Sequence, residues 1–185
     1  MSFFASKREK RLWLLVLAVV VGIYSTLGLA GMLADLLYNQ SLSAAAFLFA
    51  MFLIGLTILA HGLNARPSHA EITVALGVAV AYFMLFFRMT MPERSHLIEY
   101  GALALLIHEA LMERASQGRR VLAPSMLAIL ATSLVGALDE GIQWFLPNRV
   151  FDPIDILFNV LAGGMAVTAS AALGWARQRW RRSST

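Results

Sequence analysis

The chain has 185 residues, of which 59% are hydrophobic and 14% charged, and its mean hydropathy is +0.70. A soluble domain carries about 25% charged residues, so the composition points to one integral membrane domain, residues 1–185, rather than a soluble enzyme. The net charge of +4 does not indicate nucleic acid, because the basic residues sit between apolar spans with no interleaved aromatics to stack bases. With no cysteine, a disulfide, a thiol nucleophile and a thiolate metal site are all excluded.

Crossing about 30 Å of hydrocarbon takes about 20 apolar residues. Six segments qualify: 12–34, 44–63, 71–89, 97–113, 124–145 and 154–175. The first follows Lys7, Arg8, Lys10 and Arg11, as in a signal peptide. Its apolar run exceeds the roughly 7–15 residues of a signal h-region, and no clean cleavage site follows, so it reads as a retained helix. The fourth is the shortest and most polar. Pro124 opens the fifth, where a missing N–H costs little, and Pro147 and Pro153 bracket the connection to the sixth. The predicted fold is all-α, a polytopic membrane helix bundle of about six transmembrane helices.

Lysine and arginine sort unevenly between alternate connections. One side holds Lys7, Arg8, Lys10, Arg11, Arg66, Arg114, Arg119, Arg120, Arg177, Arg179, Arg181 and Arg182; the other holds Arg88, Arg94 and Arg149. The positive-inside rule then places both termini in the cytoplasm, as an even number of spans requires. The expected location is the bacterial cytoplasmic (inner) membrane, multi-pass, with the lipid bilayer as first partner. On the extracytoplasmic side, Glu93, Glu99, Asp139, Glu140, Asp152 and Asp155 gather near the three arginines, and Asp35 is the remaining acid there.

A charge at the centre of a membrane helix costs about 2.5–3.5 kcal/mol. Polar groups gathered at segment ends therefore read as one site near the outer surface. His96 and Tyr100 are spaced i, i+4 and share a helix face, as do Asp139 and Gln143. Asp152, Asp155 and Asn159 form one stripe if the sixth helix starts near Asp152. Asp139, Glu140 and His96 are the catalytic candidates, since two carboxylates and a histidine can separate into acid and base. Arg149 and Arg94 are the candidates for holding a phosphate or carboxylate in bidentate fashion. Gln143, Tyr100, Asp152, Asp155 and Asn159 complete the expected ligand-binding set. Asp, Glu and His also suit a divalent metal, but the spacing is no standard ligand motif, so the metal question stays open. No P-loop, dinucleotide fingerprint or Gly-x-Ser-x-Gly elbow occurs, and no cofactor is expected.

A purely structural reading competes at several positions. Arg149 with Asp152 or Asp155 can staple a loop, Asp152 can cap a helix, and Asn159 can bridge two helices. The adjacent acids Asp139 and Glu140 fit a staple less well, because one salt bridge does not account for both. His108-Glu109 reads as interfacial or bundle-paired, His61 and His69 as solvated, and Ala162-Gly163-Gly164 as a close helix contact. Trp175 and Trp180 read as an interfacial anchor.

At these polar strings the chain resembles the VanZ-like family of bacterial membrane proteins, over roughly residues 88–170. One family signature, an acidic–basic pair followed by His, three residues and Tyr, reads Glu93-Arg94-Ser95-His96-Leu97-Ile98-Glu99-Tyr100. The other reads Asp139-Glu140-Gly141-Ile142-Gln143-Trp144-Phe145-Leu146-Pro147-Asn148-Arg149, then Asp152, Asp155, Asn159 and Gly163. Asp-Lys is commoner in the family than the Glu-Arg found in this chain; the charge signs are kept. The resemblance implies a cell-envelope membrane protein. The family's namesake is associated with resistance to teicoplanin-type glycopeptide antibiotics, and most members have no established biochemical activity.

The leading expectation is an extracytoplasmic polar pocket that binds or processes a cell-envelope or lipid-linked ligand, with enzyme status open. The alternative is a non-catalytic accessory or assembly subunit of a larger membrane complex, with a membrane protein as partner. A small transporter or channel ranks last, since it needs a polar path through the bilayer joining His96 to His108.

Overall fold

The computed structural model describes the backbone of residues 3–36, 69–88, 91–146 and 151–183. Among the described residues all regular structure is helical, in five helices: α1 (Lys7–Leu36), α2 (His69–Arg88), α3 (Met91–Ser116), α4 (Pro124–Gln143) and α5 (Pro153–Ser183). These follow five of the six expected spans in order; the expected span 44–63 lies outside the described residues. Two helices, α4 and the Pro153–Ala176 stretch of α5, are long and apolar enough to cross a membrane. Three helices outrun the apolar stretches that predict them. α1 begins within the basic N-terminus, α3 takes in the first polar string, and α5 continues through the C-terminal arginines. Arg, Lys and Glu are good helix formers, so a helix need not stop where hydrophobicity does.

The ends are set by local chemistry. Ser6 caps α1, its hydroxyl accepting the Glu9 N–H at 3.0 Å, while the Glu9 carboxylate reaches back to the Ala5 N–H. α3 closes in a Schellman arrangement: the Gly118 N–H donates to Ala115 O and the Arg119 N–H to Arg114 O. Gly118 has φ +77°, a conformation that glycine adopts without strain. At the start of α5, Asp152 Oδ1 accepts the Ile154 N–H at 2.8 Å and Pro153 occupies the first turn.

α3, α4 and α5 pack against one another as the centre of the bundle, with α1 laid along α3 and α2 against α5. α4 runs antiparallel to its neighbours, so Tyr100 meets Asp139 at one end and His108 meets Ser125 at the other. Small side chains let the backbones approach: Ala104, Ala128 and Ala162 are fully buried. Gly136 is the tightest point. A Cβ added there would lie 2.7 to 3.0 Å from side-chain atoms of Asn159.

Along α4 burial is inverted relative to a water-soluble helix: Leu130, Leu134 and Leu138 are exposed, while Thr132, Asp139, Glu140 and Gln143 are buried. Ile72, Leu76, Val80 and Met84 of α2 are exposed as well, and the buried core of the bundle is apolar apart from these polar groups, Glu9, His108 and Asn159.

The end of the bundle opposite Asp139 is clamped by ion pairs. Arg8 reaches Glu109 at 3.0 Å and Glu113 at 3.1 Å, Arg114 reaches Glu9 at 2.8 Å, and Ser6 donates to Glu113. His108 is buried with Ser125 at 3.1 Å, and His69 is exposed. Burial pushes the Glu9 carboxyl up, but the Ala5 N–H and the Arg114 guanidinium outweigh it, leaving Glu9 below the ordinary carboxylate range.

Two outcomes follow. Gly136→Ala overpacks the α4–α5 contact and is expected to destabilise the fold by about 1–3 kcal/mol. Gly164→Ala, where an added Cβ meets nothing within 4 Å, does not. Thermal unfolding in detergent compares them. A folded-state carboxyl held below its unfolded value stabilises above that value and loses the contribution as pH falls through the folded one. Tm of the wild type is therefore expected to drop below about pH 4.5 (the ordinary carboxylate value) more steeply than Tm of Glu9→Gln.

Candidate functional site

The helix ends near Asp139 bring most of the expected polar residues together. Tyr100, fully buried on α3, donates its hydroxyl to Asp139 Oδ2 at 2.7 Å. The His96 ring, one turn earlier, stacks on Tyr100 with centroids 5.7 Å apart and planes 14° apart. His96 Nε2 lies 3.8 Å from Asp155 Oδ2, which ties α3 to the first turn of α5. The i, i+4 spacing of His96 and Tyr100 and the antiparallel course of α4 suffice for this meeting.

Glu140 is fully buried, and both its oxygens are engaged. Oε1 accepts the Gln143 amide at 3.0 Å, and Oε2 accepts the Asp152 N–H at 3.2 Å. Asp152 is thus held twice: its backbone is braced on Glu140 and its side chain caps α5. The structure gives Asp152 the helix-capping role that competes with ligand binding in the sequence. Hydrogen bonds of this kind contribute about 1.5–3 kcal/mol when the acceptor is charged.

Asn159 sits one turn beyond Asp155, fully buried over Gly136. Among the described residues the interhelical hydrogen bond open to it from the sequence is not made. Neither its Nδ2 nor its Oδ1 has a partner among the described residues, and the same holds for Thr132 Oγ1 and His96 Nδ1. Arg94 lies on α3 with its side chain outside the described set, and Arg149 lies outside the described residues.

His96, Asp139 and Glu140 each present a possible metal-ligand atom, all within 4.8 Å of one another. Chemically the cluster offers an imidazole, two buried carboxylates, a phenol and an amide, with Asp155 at its rim. That set can move protons, orient a polar ligand or hold a cation. Between it and His108 the seam is filled mainly by the buried apolar Leu103, Ala104, Ile107, Ala128, Ala162 and Ala166, with Thr132 and Asn159 as buried polar side chains among them.

Sequence reasoning missed three features. The brace from Glu140 to the Asp152 N–H depends on a loop conformation that no spacing encodes. The far-end clamp was readable in part: Ser6-Lys7-Arg8-Glu9 is a capping-box pattern, and Glu109 and Glu113 share a helix face. The isolated, buried Thr132 gives no signal in sequence at all.

No family model, curated protein or solved structure matches the chain.

Tyr100→Phe removes the donor to Asp139 and little else. The expected cost is about 1–3 kcal/mol of stability, read as a lower Tm in detergent with unchanged helix content. A Phe variant as stable as the wild type would mean that the bond contributes nothing to holding α3 on α4.

Proposed function

We propose that the chain is a six-span protein of the bacterial cytoplasmic membrane, with both termini in the cytoplasm. Its polar cluster lies toward the extracytoplasmic face and binds a cell-envelope or lipid-linked ligand. The observation that carries this reading is the inverted burial around α4. Leu130, Leu134 and Leu138 face outward, while Thr132, Asp139, Glu140 and Gln143 face the neighbouring helices. In water such an exposed stripe would drive association; in lipid it is the ordinary surface, and buried polar groups then mark function by default.

Aromatics support the same reading. Trp144 and Phe151 meet edge-to-face at 5.3 Å beside the cluster, and Trp144 and Phe145 are exposed. Trp175 stacks under Arg179 toward the other end. Tryptophans at both ends suit the two membrane–water interfaces, and the 20 residues of α4 span roughly 30 Å. The resemblance to the VanZ-like family agrees, since its motif positions His96, Tyr100, Asp139, Glu140 and Gln143 are among those that converge. A link to glycopeptide resistance enters only through that resemblance.

In this reading Asp139, Glu140 and His96 are the acid–base candidates, with Tyr100 and Gln143 orienting them. Arg149 and Arg94 are the candidates for the ligand's anionic group. The largely apolar filling between the cluster and His108, interrupted by Thr132 and Asn159, weighs against a transport path. Direct bonds from Gln143 and the Asp152 N–H to Glu140 leave a structural role for Glu140 in play, so the test compares folded variants.

The test is a thermal-shift screen of the purified protein with lipid-linked envelope phosphates, beside Asp139→Asn and Arg149→Ala. A ligand at a hundredfold excess over Kd stabilises by about 2.7 kcal/mol. The expected result is a rise in Tm for the wild type that is lost in both variants. No shift for any such lipid, with variants that simply melt earlier, would favour the accessory-subunit reading and a search for a co-purifying membrane partner.

A further inference from the structure

The trio formed by His96, Asp139 and Glu140 has the ingredients of a metal site. Its three ligand atoms lie within 4.8 Å of one another, on two helices. A triangle with 4.8 Å edges has its centre about 2.8 Å from each corner. Zn–N and Zn–O bonds are about 2.0–2.2 Å, so each donor would have to close by roughly 0.6–0.8 Å. Side-chain torsions can supply that.

The carboxylates are also held from behind. Tyr100 grips Asp139, and Gln143 and the Asp152 N–H grip Glu140. Outer hydrogen bonds of this kind fix ligating carboxylates at metal centres. The histidine adds an independent indication. Its Nδ1 is buried without a hydrogen-bond partner among the described residues, while its Nε2 faces Asp155. A buried imidazole nitrogen left without a partner costs about 1–3 kcal/mol, and coordination would remove that cost.

We propose that His96, Asp139 and Glu140 bind one divalent transition-metal ion of the Zn2+ or Mn2+ class. One imidazole and two carboxylates make a mixed nitrogen–oxygen donor set. Ca2+ and Mg2+ favour oxygen alone, whereas imidazole suits zinc and carboxylate suits manganese. Three protein ligands leave at least one position open for an exogenous oxygen. That the open position takes an oxygen of the lipid-linked ligand rests on the proposed function; metal binding by the trio does not. The sequence hides the site because His96 lies more than 40 residues from the adjacent Asp139 and Glu140, on a separate helix, in no standard spacing.

The test uses the untagged full chain in detergent, stripped with EDTA and reloaded with Zn2+ or Mn2+. The expected result is about one equivalent of metal retained after gel filtration, with a higher Tm than the stripped protein. His96→Ala and Glu140→Gln should each weaken the metal affinity at least tenfold. If either variant fails to fold, Co2+ added to the wild type decides: a visible d–d spectrum of nitrogen–oxygen ligation, displaced by Zn2+, supports the site. No retained metal and no Co2+ spectrum would overturn it, as would equal metal retention by folded His96→Ala. A parallel arm repeats the lipid-phosphate thermal shift in EDTA. A full lipid shift in wild type that takes up no metal would sink the metal site and leave the ligand pocket standing.

Discussion

Asp139 and Glu140 are consecutive residues on α4, and both are buried. Burying two carboxylates among apolar helices is tolerable only where donors converge on them. The donors come from each direction: the Tyr100 hydroxyl from α3, the Gln143 amide from the next turn of α4, and the Asp152 N–H from the start of α5. The relative placement of α3, α4 and α5 at this end is therefore tied to one electrostatic requirement. Shifting any of the three along its axis would strand a carboxylate, so the cluster specifies register as well as offering chemistry.

The close approach that this requires is made possible lower in the bundle. Gly136 lets Asn159 lie against the α4 backbone, and Gly163 brings α5 within reach of Ala104 and Thr132. These contacts set how near Asp155 comes to His96, because both lie one or two turns away on the same rigid helices. The far end is held differently. Arg8, largely exposed, pairs with Glu109 and Glu113, and Arg114 pairs with the buried Glu9, so that α1 is tied to α3. The exposed Arg8–Glu109 pair contributes little by itself. Glu9 resembles the carboxylates of the cluster instead, buried and held by the Arg114 guanidinium and the Ala5 N–H.

Much of the helical layout was legible because apolar runs of about 20 residues leave few alternatives, and the grouping of His96, Tyr100, Asp139 and Gln143 follows from i, i+4 spacing plus antiparallel neighbours. Helix lengths were less legible, since the polar turns at Lys7–Arg11, Met91–His96 and Arg177–Ser183 are good helix formers and continue helices beyond the apolar core. The role of Asp152 was ambiguous because a carboxylate before a proline serves equally as a cap or as a ligand. For Asn159 the sequence leaves ligand binding and a cross-helix hydrogen bond both open; the side chain lies against Gly136, and its amide has no partner among the described residues. Long-range pairings such as Glu140 with the Asp152 N–H depend on the loop's path and have no signature in spacing.

In the proposed orientation the buried cluster sits at the extracytoplasmic end of a membrane-embedded bundle. The chain contains no cysteine, so single cysteines introduced at Trp144, beside the cluster, and at Gln117, at the opposite end, report sidedness directly. In intact cells a membrane-impermeant maleimide is predicted to label Trp144→Cys, and to label Gln117→Cys only after permeabilisation. The reverse pattern, or labelling of both positions without permeabilisation, would contradict the orientation on which the functional account depends.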